Sequence, residues 1–437
     1  KEARWSNGDP VTASDFVWAY QRMLTASLGA EYASMLFALK NGQAYYEKKV
    51  ADFAQVGAHA ADPHTLVLSL EYPVPYLDKI VCHSAWYPLH RPTLEKFGRV
   101  YERGSQWTRP GNYVGNGCFV LAEWKPNQLI RVTKSPTYWD RDAVKLAAVV
   151  FYPIENTASE ESMFRAGQLH ATSTLPIGKI SVYQDDPKFQ SLLMRGTLLA
   201  TYFYRLNVTR PPFNDVRVRQ ALALTINRQQ LVDRVTKGGE IPAGHLTPPE
   251  TGGFTATSRL AYDPARARQL LTEAGFPGGK GFPVVDLLFN THEGHRQIAE
   301  AIQQMWRVEL GIQVNLYNQE AKVYVETMRA GNYQLARFAW VGDYLDPSTF
   351  LEMMTSQNGN NQTGWSNAAY DRLISAAKVA PTQEARFEAF QECERILAEE
   401  MPVIPIYFYV HNALQRPEVK GRYSNLLDVH PLKGISL

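Results

Sequence analysis

Cysteine is scarce in this 437-residue chain: its three cysteines, Cys82, Cys118 and Cys393, lie far apart, with no CxxC. An odd, scattered set argues against a disulfide-stapled scaffold and a structural zinc site. Long apolar runs are missing too, and none approaches the ~20 residues a membrane-spanning helix needs. Neither sign of charge dominates. A net charge of +2 gives no bias toward nucleic acid or an anionic membrane. Catalytic signatures are absent: there is no GxSxG elbow, no phosphate-binding loop and no Gly-rich dinucleotide turn after a strand. Glu160–Glu161 and Glu399–Glu400 are chain neighbours on different helix faces, so no glycosidase dyad follows from them. GGKG (278–281) is a lone turn-like cluster, and the adjacency of Cys82 and His83 is not a catalytic geometry. HEGH (His292–His295) fails the zinc-protease pattern, whose histidines stand four apart rather than three. His295 is instead a candidate donor to an anionic ligand at a helix N-terminus. No metal, cofactor or enzymatic activity is expected.

What remains is an ordinary globular composition, 45% hydrophobic and 20% charged, long enough for two or three domains. Tyrosine (23), phenylalanine (19) and tryptophan (9) are plentiful and suit both cores and adaptable ligand pockets. The chain opens on KEARW, without methionine, signal peptide or lipidation motif, which leads us to expect further residues upstream.

Periodicity supplies the elements. A turn at Asn7–Pro10 precedes a helix carrying Phe16, Val17, Tyr20, Met23 and Leu24, with Thr12 or Ser14 as cap. Strands are expected over Thr65–Leu70, Asn127–Thr133, Leu146–Tyr152 and Ala200–Val208, and a helix over Ala158–Ala166. DVRVRQALALTINRQQLVDRV (215–235) reads as one long amphipathic helix. From residue 284 strands and helices alternate: VVDLLFN, GHRQIAEAIQQMWRVELG, IQVNLYN, KVYVETMRAG, YQLARFAW. That alternation predicts an α/β domain with a largely parallel sheet. Helices over Ala368–Ala377 and Glu384–Glu400 and the strand PVIPIYFYV complete it.

RFAWVGDYLDPSTF (337–350) poses the functional question. In a strand, Arg337, Ala339 and Val341 share one face and Phe338 and Trp340 the other; Asp343 joins the first if extension persists past Gly342. Arg337 and Asp343 would then sit roughly 20 Å apart, at about 3.3 Å per residue, too far to pair. They are either locally satisfied surface charges or sockets for the opposite ends of an extended zwitterion, with Trp340 adding a cation–π contribution.

Taken with WSNGDPVTASDFVWAYQRML, ADPHTLVLSL, PGNYVGNGCFVL, SPTYWD, FNDVRVRQALALTINR, MWRVELGIQVNLYNQE and PVIPIYFYVHNAL, this stretch resembles the periplasmic oligopeptide-binding proteins of ABC importers. The resemblance runs in order along the whole chain and implies that the family's N-terminal segment is absent here. It implies an α/β fold of the type II periplasmic-binding class, large and three-lobed. The lobes would be an extra lobe over 1–91, lobe I over 92–199 and 411–437, and a ligand-closing lobe over 200–410. It implies a receptor that closes over a short peptide and passes it to membrane permease subunits, monomeric, in the periplasm, without nucleic acid. By this resemblance Asp343 takes the peptide ammonium beside Trp340, Arg337 and His295 serve carboxylates, and Tyr32, His83, Asn360 and Tyr409 line the pocket. Departures are visible. The relatives' cysteine pair falls at Ala200 and Val341. A pocket acid appears as Arg205 and a pocket tyrosine as Phe203; a base appears as Met328 and a tryptophan as Ala321. A cation at Arg205 would favour acidic peptide groups. Murein tripeptide, dipeptide, glutathione or haem are alternative ligands, and a peptide hydrolase is the alternative of another class.

Overall fold

The computed structural model describes every residue except Lys1, Arg99 and Glu102. The chain forms two compact units, Lys1–Ile154 with Pro417–Tyr423 and Val429–Leu437, and Glu155–Arg416 with Ser424–Asp428. No helix among the described residues is long and apolar enough to cross a membrane.

The first unit opens with helix α1 (Ala13–Leu24), which follows Thr12 at its N-cap; the Asp15 carboxylate takes the Thr12 N–H at 2.7 Å. A cap of this kind satisfies donors that the first helical turn leaves open. α1 buries Trp18, Tyr20 and Leu24. The Tyr20 ring meets Trp86 edge-on at 5.4 Å, and its hydroxyl donates to the Trp86 carbonyl. Strands β1 (Ala58–Asp62) and β2 (Thr65–Leu68) form an antiparallel hairpin. β3 (Phe119–Lys125), β4 (Leu129–Lys134) and β5 (Ala148–Phe151) form an antiparallel sheet in chain order.

The second unit holds helix α2 (Thr157–Arg165) and a six-stranded sheet. Its strands are β6 (Leu193–Leu206), β7 (Ile241–Pro242), β8 (Val285–Asn290), β9 (Val314–Gln319), β10 (Leu335–Val341) and β11 (Val403–Leu414), in the order β7-β11-β6-β10-β8-β9. Only the β10/β8 and β8/β9 pairs are parallel; β6 pairs antiparallel with both β10 and β11, and β7 pairs antiparallel with β11. The sheet is therefore mixed, against the largely parallel expectation. The parallel part is the strand–helix alternation; the long strand β6 runs against it, and β11, antiparallel to β6, shares the direction of the parallel strands while pairing with β6 and β7.

Alternation along β6 assigns its two faces. Tyr202, Tyr204 and Leu206 enter one core with the helices α3 (Val216–Leu224), α5 (Pro264–Glu273) and α6 (Glu293–Leu310). Leu199 and Phe203 enter the other, under α8 (Ala368–Lys378) and α9 (Gln383–Glu400). On α6 the buried positions Ile298, Ile302, Trp306 and Leu310 repeat at helical spacing, and Gly311 ends the helix at φ 69°. That left-handed conformation favours glycine. α7 (Ala321–Arg329) joins β9 to β10.

The expected long helix over 215–235 is broken. α3 stops at Leu224, α4 covers Arg228–Leu231, and a π-helical turn follows over Val232–Thr236. Thr225 turns its hydroxyl back onto the Ala221 and Leu222 carbonyls, and the Asn227 side chain accepts the Gln230 N–H as a new cap. Short polar side chains compete in this way with helix continuation.

Candidate functional site

The three parallel strands β8, β9 and β10 run in the same direction, so their carboxyl ends share one edge of the sheet. In open α/β sheets that edge is where ligands bind. β8 there leads through Asn290 into the start of α6 with His292 and His295, and β10 leads into Gly342 and Asp343.

Arg337 is the centre of this edge. Its guanidinium lies over the Tyr202 ring at 4.7 Å, donates to the Tyr409 hydroxyl at 2.6 Å and to Asn290 Oδ1 at 3.3 Å. Nε is buried without a partner, and no described carboxylate pairs with it. His295 joins the group: its ring lies 5.7 Å from Tyr202 and 4.6 Å from His292. Burial, then the Arg337 charge, then His292 hold the His295 pKa well below the usual histidine range, leaving it a neutral donor or acceptor at neutral pH. Thus Arg337, His295 and Tyr409, named from sequence, come together. Tyr202 and Asn290 complete the group and were not singled out from sequence, and His292 entered there only within the rejected zinc pattern; the alternation of ATYFYRL, which puts Tyr202 and Tyr204 on one face, was the available signal. No group of three or more histidine, cysteine, aspartate or glutamate side chains suited to a metal occurs among the described residues.

The opposite face of the sheet holds a second group. Phe203 is opposite Phe338 in register, with the rings 5.6 Å apart. Arg205 is 1% exposed and stacks over Phe338 at 3.5 Å. It donates to Gln362 Oε1 and to the Asn360 carbonyl, both at 2.8 Å. Neutral acceptors and a ring face therefore meet its charge, and burial draws its pKa down to about 10. The sequence offered Arg205 as a cation favouring acidic peptide groups; strand alternation places its side chain on this face, packed into the protein. Trp340 packs at the edge of the same core.

Asp343 lies beyond the end of β10, since the strand stops at Val341 and does not carry the alternation through Gly342. Its N–H is held by Thr349 Oγ1 at 2.9 Å. The loop behind it is fixed by a buried ion pair that sequence reading missed: Arg386 on α9 grips both oxygens of Asp346 at 2.7 and 2.5 Å. Asp346 Oδ1 also takes the Ser348 N–H and hydroxyl. Bidentate geometry of this kind is among the stronger side-chain contacts. Tyr32 and His83 belong to the first unit, where their rings meet at 4.7 Å; burial lowers the His83 pKa. Ala200 and Val341 are direct partners across β6 and β10, adjacent in space and without sulfur.

This mixed α/β sheet, with polar groups gathered at the carboxyl edge of its parallel strands, defines a binding protein of the type II periplasmic class. Residues 1–362 match the bacterial extracellular solute-binding proteins, family 5 Middle, and the chain belongs to that family. The family comprises transport receptors rather than enzymes. The chain is 35% identical to the periplasmic murein peptide-binding protein MppA of Escherichia coli over 96% of its own length and 78% of that protein's. It is 33% identical to the periplasmic oligopeptide-binding protein OppA of Salmonella typhimurium, over 96% of this chain and 77% of that one. The solved Haemophilus influenzae OppA in complex with RPPGFSPFR superposes with a TM-score of 0.91 at 33% identity, covering 100% of this chain and 86% of that one.

Proposed function

We propose that this protein is the peptide receptor of an ABC importer. It captures short peptides in the periplasm as a monomer and delivers them to membrane permease subunits. The observation that carries the reading is Arg337, a cation whose described partners are a phenol, an amide oxygen and a ring face, standing at the carboxyl edge of the sheet. A carboxylate brought to it gains a charged hydrogen bond that the protein itself does not supply, worth roughly 1.5–3 kcal/mol. Asp343, just past the end of the same strand, receives the peptide ammonium. Backbone pairing along β10 would give affinity without reading side chains. Residues 1–91 form the extra lobe in this reading, and 200–410 the lobe that closes on the ligand.

The relatives' names cover murein peptides and oligopeptides. Mass spectrometry of material co-purifying with the protein identifies the cargo, and calorimetry on stripped protein measures its affinity. Binding of tri- to pentapeptides without release of amino acids is the expected result. Released amino acids would establish a hydrolase instead, and absence of binding by every peptide would overturn the proposal.

A further inference from the structure

A cavity of about 260 Å³ opens within the second unit beside Tyr409, lined also by His295, Glu240, His411, Asn412 and Asp428. At about 30 Å³ per water it has room for roughly eight waters, enough for a long side chain. Its lining includes no lysine and no arginine, but three carboxylates: Glu240, Asp428 and, at its exposed rim, Glu293. Glu240 Oε2 takes the Thr236 hydroxyl at 2.7 Å and the Gly238 N–H at 3.0 Å, both neutral donors. Asp428 meets His411 at 3.2 Å. Two other lining histidines, His292 and His295, are held neutral, chiefly by burial and secondly by the Arg337 charge.

A second observation is independent of those acids. Asn412 is 6% exposed, and its Oδ1 has no hydrogen-bond partner. Its Nδ2 faces two carbonyls, Gly238 at 3.0 Å and Val410 at 3.4 Å. Those acceptors fix the amide's orientation, so the orphan atom on this cavity-lining residue is an acceptor that awaits a donor. Arg195, against Gly239, is engaged by Gln184, and Arg337 binds the Tyr409 hydroxyl; neither lines the cavity.

We infer that this cavity is a subsite for the cationic end of a ligand side chain, a primary ammonium or a guanidinium. The inference rests on the peptide-receptor reading and sharpens it. A peptide whose carboxylate meets Arg337 has its last residues next to Tyr409 and His295, and a long basic side chain there reaches Glu240, Asp428 and the Asn412 oxygen. The subsite thereby selects among peptides by the charge of a residue near the carboxyl end.

Calorimetry with matched tri- and tetrapeptides of alanine ending in lysine, norleucine or glutamate tests this. The lysine form is expected to bind at least about five-fold tighter than the norleucine form at one or both lengths, the scale of one moderately exposed ion pair. The glutamate form should bind weakest. Glu240→Gln and Asp428→Asn should each shrink the lysine advantage while leaving norleucine peptides unchanged. Equal affinity for lysine and norleucine at both lengths would overturn the subsite, as would an advantage that survives in both variants. If no peptide of any kind bound, the receptor reading itself would fall, and this inference with it.

Discussion

Arg337 on β10 reaches across the intervening strand β6 to the hydroxyl of Tyr409 on β11, its guanidinium resting on the Tyr202 ring between them. One cation thereby ties three strands together with neutral partners and keeps its charge available at the sheet's edge.

The first prediction follows from that arrangement. Wild-type protein should bind a peptide with a free carboxyl terminus at least ten-fold tighter than its amide, the scale of one charged hydrogen bond, about 1.5–3 kcal/mol. Arg337→Ala should bind both forms weakly and equally. Arg337→Lys should restore little, since a lysine cannot reproduce the planar fork that spans Tyr409 and Asn290. An Arg337→Ala variant that still discriminated between acid and amide would place the carboxylate elsewhere.

The Asp346–Arg386 pair is buried, with both side chains below one-tenth exposed. Removing one partner strands a charge in the interior. Asp346→Ala should therefore lower unfolding free energy by about 3–5 kcal/mol, and replacing both residues with leucine and methionine should recover much of it. Denaturant midpoints measure this. A single-variant loss under about 1 kcal/mol, the scale of an exposed pair, would contradict the geometry.

A pH dependence is built into His245. Burial, with the nearby Arg259 charge, pushes its pKa down to about 4 from an ordinary 6.5, while Nδ1 contacts the Thr247 carbonyl at 2.6 Å. The unfolded chain takes the proton first as pH falls, so this contribution is complete above pH 6.5 and drains away toward pH 4. Its full size is about 3 kcal/mol. Buried Glu394, whose pKa burial raises, works in the opposite direction, so the comparison must be between variants. Wild type should lose about 3 kcal/mol more than His245→Gln between pH 7 and pH 4 in urea unfolding; parallel curves would exclude the assignment.

How legible was this in sequence? The β8-α6-β9-α7-β10 run was plain, because each element carries its own period and Gly311 and Gly331 punctuate the helix ends. The sheet's mixed character was not. β6 pairs with β10 and β11 across large stretches of chain, and antiparallel pairing at that distance leaves no local trace. The break at Thr225–Asn227 could have been read from two capping-type residues inside an otherwise amphipathic pattern. Among the site residues, Arg337 and Asp343 stood out as charges amid aromatics. Their surroundings did not, since Tyr409 lies 72 positions from Arg337, and Arg386 lies 40 from Asp346. The whole-chain resemblance offered Tyr409 as a pocket residue and a carboxylate role for His295, already noted at its helix N-terminus; their closeness to Arg337 needed the fold. Arg205 shows the reverse, a charge whose presence was read correctly and whose burial needed the fold.

The most direct test of the account is a double cycle on Asp343. Calorimetry compares a tripeptide bearing a free amino terminus with its N-acetylated form, on wild type and on Asp343→Ala. Acetylation should weaken wild-type binding by about 1.5–3 kcal/mol and have almost no effect on the variant, because the ammonium and the carboxylate form one interaction. An acetylation penalty of the same size in both proteins would show that Asp343 does not hold the peptide's amino end.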